Sequence, residues 1–150
     1  MNTRLFTVLA AVSLAACNPN RGPEYTTPAE FGEVTVQPQT IDSDSEVRVK
    51  VSVSCPYGLR NVCILYMLDD DESDVRTVAK TEPPAGVTSF DYEGIIPRQK
   101  AGRKVTFRIR AITAYNVASY TQLQEYRVPD GVGGQIRTTH LNKEIAILWN

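Results

Sequence analysis

The feature that most constrains the fold of this chain is a strict alternation of valine with polar residues at positions 47–54. Valine occupies 47, 49, 51 and 53, and arginine, lysine or serine stands between them. Because successive side chains of a strand point to opposite faces, this pattern predicts a strand with one buried and one solvated face. Residues 105–111 repeat the alternation, with Phe107 and Ile109 among the apolar positions. Residues 62–68 are almost continuously apolar, which predicts a strand covered on both faces.

Strand patterns recur along the middle of the chain, separated by turn signals rich in proline, glycine and aspartate. The predicted strands are 33–38, 45–55, 61–69, 74–80, 87–96, 103–114 and 119–128. Beyond the first 16 residues, no stretch keeps a helical period over ten residues. About seven short strands at this spacing predict an all-β fold, an antiparallel sandwich of two sheets.

A segment near the middle of this region is similar to a known family. Gly94-Ile95-Ile96-Pro97, followed shortly by an alternating strand, resembles the corresponding part of fibronectin type III domains. Phe90 and Tyr92 stand where that family points apolar side chains inward, whereas Val105 stands where its corner tyrosine would be. The resemblance covers residues 33–128 and implies a fibronectin-III-like or, more broadly, immunoglobulin-like sandwich.

The first 16 residues have the organisation of an export signal. Arg4 supplies a positive charge, and an apolar stretch of about ten residues follows, too short to span a bilayer. Leu14-Ala15-Ala16-Cys17 resembles a bacterial lipobox. The resemblance implies cleavage before Cys17 and attachment of fatty acyl chains, palmitate among them, to that cysteine. An ordinary secretory signal with a chance cysteine is the alternative. Asn18, in place of aspartate, favours the outer membrane over retention in the inner membrane.

The chain therefore divides into four predicted parts. Residues 1–16 form a lipoprotein signal peptide, and the proline-rich residues 17–32 form a tether that holds the domain off the membrane. Residues 33–128 form the sandwich, and residues 129–150 form a tail. Within the tail, the segment 144–149 is apolar after Glu144 and predicts an eighth strand, an edge partner or a segment donated to a neighbouring molecule.

Two cysteines remain once Cys17 is assigned to lipid attachment. Cys55 and Cys63 are an even pair in an exported protein, separated by seven residues that include a proline and a glycine. This context predicts a structural disulfide. Two free, buried thiols are the alternative, and they would result if the two side chains lay on opposite faces.

Candidate ligand contacts lie in two predicted loops. Tyr57 follows the strand at 45–55, and Tyr115 and Asn116 follow the strand at 103–114. In a sandwich of this kind both loops lie at the same pole, where aromatic faces and an amide suit a glycan or a protein ligand. Isolated loop tyrosines without a binding role are the alternative.

Charged residues favour simpler interpretations. The acidic run at 69–74 lacks the glycine and the ligand spacing of a calcium loop, so a solvated hairpin tip is predicted. Arg48, Lys50, Arg108 and Arg110 occupy the polar positions of two alternating strands and are predicted to point to solvent.

The composition offers little support for catalysis. The chain has one histidine and a formal net charge of −1, so neither a histidine-based metal site nor a basic nucleic-acid surface is predicted. Nucleophile-elbow and phosphate-loop motifs are absent. We therefore expect a non-enzymatic, cofactor-free lipoprotein of the outer membrane that serves as an adhesion, scaffold or ligand-binding module. A pilin-like subunit that assembles by strand addition is one alternative. An accessory domain of a surface nutrient-uptake system is the other. The ligand, the oligomeric state and the side of the membrane stay open.

Overall fold

The computed structural model describes residues 25–130 and, for the backbone alone, residues 134–138. Within these residues the regular elements are all strands. They are β1 Glu30–Phe31, β2 Thr35–Gln37, β3 Thr40–Ile41, β4 Val47–Ser54, β5 Leu59–Leu68, β6 Arg76–Thr81, β7 Ser89–Ile96, β8 Lys104–Thr113, β9 Ala118–Tyr120, β10 Gln124–Arg127 and β11 Gly134–Thr138. In this part of the chain, no helix is long and apolar enough to cross a membrane.

The strands form two antiparallel sheets. In the first sheet β7 pairs with β4 along its whole length, and β1 and β2 pair with successive parts of the opposite edge. The second sheet has the order β3-β11-β10-β8-β5-β6, and β9 pairs with β8. The predicted all-β sandwich is therefore confirmed. It separates β4 and β7 from β5 and β8, as in immunoglobulin-like sandwiches.

The core lies between the sheets and is formed by the residues that the alternation selects. The four valines at 47, 49, 51 and 53 are at most 4% exposed. They pack with Ile64 and Tyr66 of β5 and with Phe107 and Ile109 of β8 in one cluster. Because each strand contributes every second residue to this layer, the period of two in the sequence determines which faces are buried.

The outer face of the second sheet is also buried, which corrects the prediction for Arg108. This arginine is 2% exposed, and its guanidinium lies 4.0 Å from the centre of the Tyr120 ring. Burial lowers the pKa of Arg108. Nearby, a second apolar cluster contains Cys63, Leu65, Met67 and Leu123, with Tyr120 packed against it. Tyr120 and Leu123 thus help to cover a face that would otherwise be open to solvent.

The first sheet, in contrast, has the predicted solvated outer face. The side chains of Arg48 and Lys50 are about half exposed, and both form ion pairs with Glu93 on the neighbouring strand. Such exposed pairs contribute little to stability.

The predicted disulfide is not present, because Cys55 and Cys63 are both free and buried. Cys55 belongs to the main core between the sheets, whereas Cys63 belongs to the cluster on the outer face of the second sheet. The two side chains therefore lie on different sides of a sheet, where no bond between them can form.

Both ends of the sandwich extend beyond the predicted 33–128. Pairing begins at β1, and the buried Ala29 donates its backbone N–H to the Ser119 hydroxyl at 2.9 Å. The tail contributes β11, which pairs with β10 and β3. The segment 144–149, the signal peptide and Cys17 lie outside the described residues.

Candidate functional site

Three tyrosines from separate segments meet at one end of the sandwich. The rings of Tyr25 and Tyr115 are stacked with their centres 4.0 Å apart, and the Tyr57 ring lies edge-on to Tyr25 at 4.9 Å. Tyr57 and Tyr115 are 6.2 Å apart and nearly perpendicular. We call this group, with Arg60 and Asn116 at its rim, the tyrosine pole. The structure thus brings together Tyr57, Tyr115 and Asn116, as their predicted loops require.

Backbone hydrogen bonds hold the two loops beside each other. The Gly58 carbonyl accepts from the Ala114 N–H at 3.0 Å, which ties the β4–β5 loop to the β8–β9 loop. Gly58 has φ of 87°, a left-handed conformation that glycine adopts without steric cost. Tyr57 directly precedes Gly58, and Tyr115 directly follows Ala114. The hydrogen bond between Gly58 and Ala114 therefore brings the two rings close to each other.

Asn116 shapes the second loop and joins it to the first. Its φ is 64°, in the left-handed region that asparagine tolerates better than most residues. Its backbone N–H donates to the Thr113 carbonyl at 3.0 Å, which closes a tight turn. Its side-chain oxygen accepts a hydrogen bond from the Arg60 guanidinium. The amide is therefore held in place at the rim.

Tyr25 is the member of the site that sequence reasoning missed. It precedes β1 in a proline-rich segment without periodicity, so no strand pattern indicated a packed position. The segment is held by the bond from Ala29 to Ser119 and by a 4.0 Å contact between the Cys55 thiol and the Thr27 carbonyl. An aromatic residue just before the first strand was the only available signal.

The tyrosine pole is exposed, and its chemistry is that of a contact surface. Tyr57 is 41% and Tyr115 is 49% exposed, and Arg60 is exposed. Desolvation, followed by the proximity of Tyr25, raises the pKa of Tyr115. Among the described residues, no group of three or more acidic, histidine or cysteine side chains could hold a metal ion. The pole can therefore offer stacking faces, hydroxyls, an amide and one guanidinium.

The acidic run lies at the opposite end, in the β5–β6 hairpin. Its residues are exposed, as predicted, but basic side chains engage several of the carboxylates. Asp69 pairs with Arg103, and Asp70 pairs with Lys104 at 2.9 Å. The Lys104 backbone N–H, followed by Arg103, lowers the pKa of Asp69. These pairs attach the hairpin to the start of β8.

Comparison with known proteins shows likeness in fold only. No protein-family model matches the chain, and no curated protein matches it. Its structure is similar to the sensor domain of the anti-sigma factor RsgI4 from Pseudobacteroides cellulosolvens, at 14% identity and a TM-score of 0.46, covering 73% of this chain and 98% of that one. A solution structure of the same domain gives 14% identity, a TM-score of 0.47, and coverage of 67% and 77%. Superoxide reductase (neelaredoxin) from Ignicoccus hospitalis gives 12% identity, a TM-score of 0.44, and coverage of 66% and 82%.

Proposed function

We propose that this chain is a lipid-anchored, non-enzymatic β-sandwich of the bacterial outer membrane that acts as a ligand-binding module. Its contact site is the tyrosine pole. The observation that carries the proposal is the convergence of Tyr25, Tyr57 and Tyr115, from three separate segments, on an exposed end of the sandwich. Adhesion and scaffolding are the roles that such a module serves.

The chemistry of the pole supports a binding role. Tyrosine offers a large contact area and a polar tip at a low cost in side-chain entropy. The stacking of Tyr25 on Tyr115 restricts both rings before any ligand arrives, which reduces the entropy lost on binding. Loops at one end of a rigid sandwich are also where many β-sandwich proteins carry their binding residues.

The lipobox supports the anchor. A cysteine with two or three acyl chains gives stable membrane attachment, which one chain alone does not. We expect the full-length protein to incorporate labelled palmitate and to sediment with membranes. The Cys17→Ser variant should do neither, whereas the matched Asn20→Ala variant should behave as wild type. Unchanged membrane association of the Cys17→Ser variant would disprove the anchor.

A photo-crosslinking amino acid tests the contact site in intact cells. It is placed at position 57 in the tyrosine pole, or at position 75 in the opposite hairpin as a control. We expect discrete adducts with glycan, protein or lipid from position 57 alone. The Tyr115→Ala variant should weaken those adducts because it removes the neighbouring ring. Equal adducts from both positions would mean that the pole has no special role.

A further inference from the structure

The proposed anchor and the tyrosine pole lie at the same end of the molecule. Eight residue steps separate Cys17 from Tyr25, and Tyr25 is stacked on Tyr115. A fully extended chain covers at most about 3.6 Å per residue, so these steps reach no farther than about 29 Å. The pole is therefore confined to the vicinity of the bilayer to which Cys17 is attached.

The acidic end lies farther away. β5 and β8 each have ten residues, run antiparallel and connect the tyrosine pole with the acidic hairpin. At about 3.3 Å per residue, each strand spans about 33 Å. The sandwich is thus about as long as the greatest distance that the chain can span between Cys17 and Tyr25. When the pole faces the membrane, the acidic hairpin therefore lies in water, well away from the headgroups.

The two ends also differ in chemistry. The tyrosine pole exposes Tyr57 and Tyr115. The β6–β7 loop, with its exposed Pro84, lies beside them, because the backbone N–H groups of Cys55 and Leu59 donate hydrogen bonds to that loop. Tyrosine is enriched at the headgroup level of membranes, because its ring is amphipathic. The exposed guanidinium of Arg60, which bonds to Asn116, is also a group that attracts phosphates.

The opposite hairpin carries the acidic run 69–74, in which Asp69, Asp70 and Asp74 pair with basic side chains. The exposed carboxylates of Asp71 and Glu72 stand outside these pairs, and anionic headgroups repel them. Turning the sandwich over would bring this hairpin toward the bilayer and remove the tyrosines from it. Charge and aromatic content therefore favour the same orientation that the position of the anchor favours.

We infer that the tyrosine pole rests on the lipid headgroup surface, so that the partner of this site is the membrane itself. This inference depends on the proposed anchoring at Cys17. In this arrangement Tyr57 and Tyr115 lie at the headgroup level, and the acidic hairpin points away from the membrane. The lipid holds the protein on the membrane, and the pole fixes its orientation there.

Depth-dependent fluorescence quenching tests the orientation. The full-length lipidated protein, with Trp149→Phe to remove its only tryptophan, receives one reporter, either Tyr115→Trp in the pole or Glu72→Trp in the hairpin. Each variant is reconstituted in vesicles of phosphatidylethanolamine and phosphatidylglycerol with brominated acyl chains. We expect strong quenching at position 115 and none at position 72. A Tyr57→Trp variant repeats the pole measurement in case position 115 tolerates the change poorly.

The outcomes separate this inference from the proposed function. If the protein floats with the vesicles but positions 115 and 57 are quenched no more than position 72, the anchor stands and the orientation is wrong. If the protein does not float with the vesicles at all, the anchor is wrong and the orientation falls with it. Quenching confined to the pole supports both.

Discussion

The hydroxyl of Tyr92 donates a hydrogen bond to the carbonyl oxygen of Ala79 at 2.9 Å, which joins the two sheets through the core. Tyr92 is 1% exposed on β7, and Ala79 lies on β6 of the other sheet. The β5–β6 pairing slips by one residue here, and Ala79 adopts φ of 51°. Burial raises the pKa of Tyr92, and an interaction with the Ile64 backbone opposes that rise. The hydroxyl thus provides a hydrogen-bond partner for the backbone at a bulge in the β5–β6 pairing.

Tyr92→Phe should lower the free energy of unfolding by about 1–3 kcal/mol, because it leaves the Ala79 carbonyl oxygen without its partner. Urea denaturation followed by circular dichroism measures the loss. Tyr57→Phe is the matched control, since it removes a hydroxyl from an exposed ring and should change stability by less than about 0.5 kcal/mol. Equal midpoints for wild type and Tyr92→Phe would show that the hydroxyl has no structural role.

The space for that hydroxyl depends on Gly94. A methyl group at this position would lie 2.5 Å from the Tyr92 hydroxyl oxygen and 2.7 Å from Cδ1 of Ile64. We expect Gly94→Ala to cost about 1–3 kcal/mol through overpacking. Because part of the clash is with the hydroxyl, the same change should cost less in a Tyr92→Phe background. A double-mutant cycle by urea denaturation measures this coupling, and strictly additive effects would argue against the contact.

The period of two was enough to predict the fold. The valines of β4 and the Phe107 row of β8 lie in the core, as their alternation requires. The continuous apolar run in β5 is covered on both faces, also as predicted. The same alternation also shows why the two cysteines do not form a disulfide. Cys55 continues the inward valines of β4, whereas Cys63 alternates with the inward Val62 and Ile64, so the two thiols point to different layers.

Long-range packing was beyond the reach of the sequence. The pattern in β8 made Arg108 look solvated, because nothing local shows that Tyr120 packs over its guanidinium. Tyr25 is a similar case, since its place in the tyrosine pole depends on β1 pairing with the end of β4. The two loop residues Tyr57 and Tyr115 could be placed together because strand order alone brings their loops to one end.

The ring of Tyr120 stabilises the buried Arg108. Tyr120→Leu should destabilise the protein by about 0.5–2 kcal/mol, because it keeps apolar cover but removes the aromatic face that the guanidinium contacts. Tyr120→Phe retains the face and should be closer to wild type. Guanidinium chloride denaturation of the three proteins measures the order. If the leucine variant were as stable as the phenylalanine variant, the contact would contribute nothing.

Free, buried thiols make a further prediction. In a Cys17→Ser background, Cys55 and Cys63 should react with a thiol reagent only after the protein is unfolded, and reducing agent should leave the unfolding midpoint unchanged. Burial raises the pKa of Cys63, which further slows its reaction in the folded state. A protein that resists alkylation when unfolded without reductant, and lacks two hydrogens in its mass, would instead contain the disulfide.

Alkaline pH should destabilise the fold through its buried tyrosines. Burial raises the pKa of Tyr126, which is 3% exposed, above its ordinary value of about 10. Above pH 10 the unfolded chain loses this proton while the folded protein keeps it. The stability that the neutral ring contributes is therefore complete below pH 10, and it falls by about 1.4 kcal/mol per pH unit above it.

The Tyr126→Phe variant isolates this effect, because phenylalanine keeps the ring that packs edge-on to Phe107 but cannot ionise. The difference in unfolding free energy between wild type and variant should be constant from pH 7 to about pH 9.5, and should then shift in favour of the variant as the pH rises. Urea denaturation at a series of pH values measures that difference. Parallel curves through pH 11 would show that Tyr126 ionises as easily in the folded protein as in the unfolded chain, contrary to its burial between the sheets.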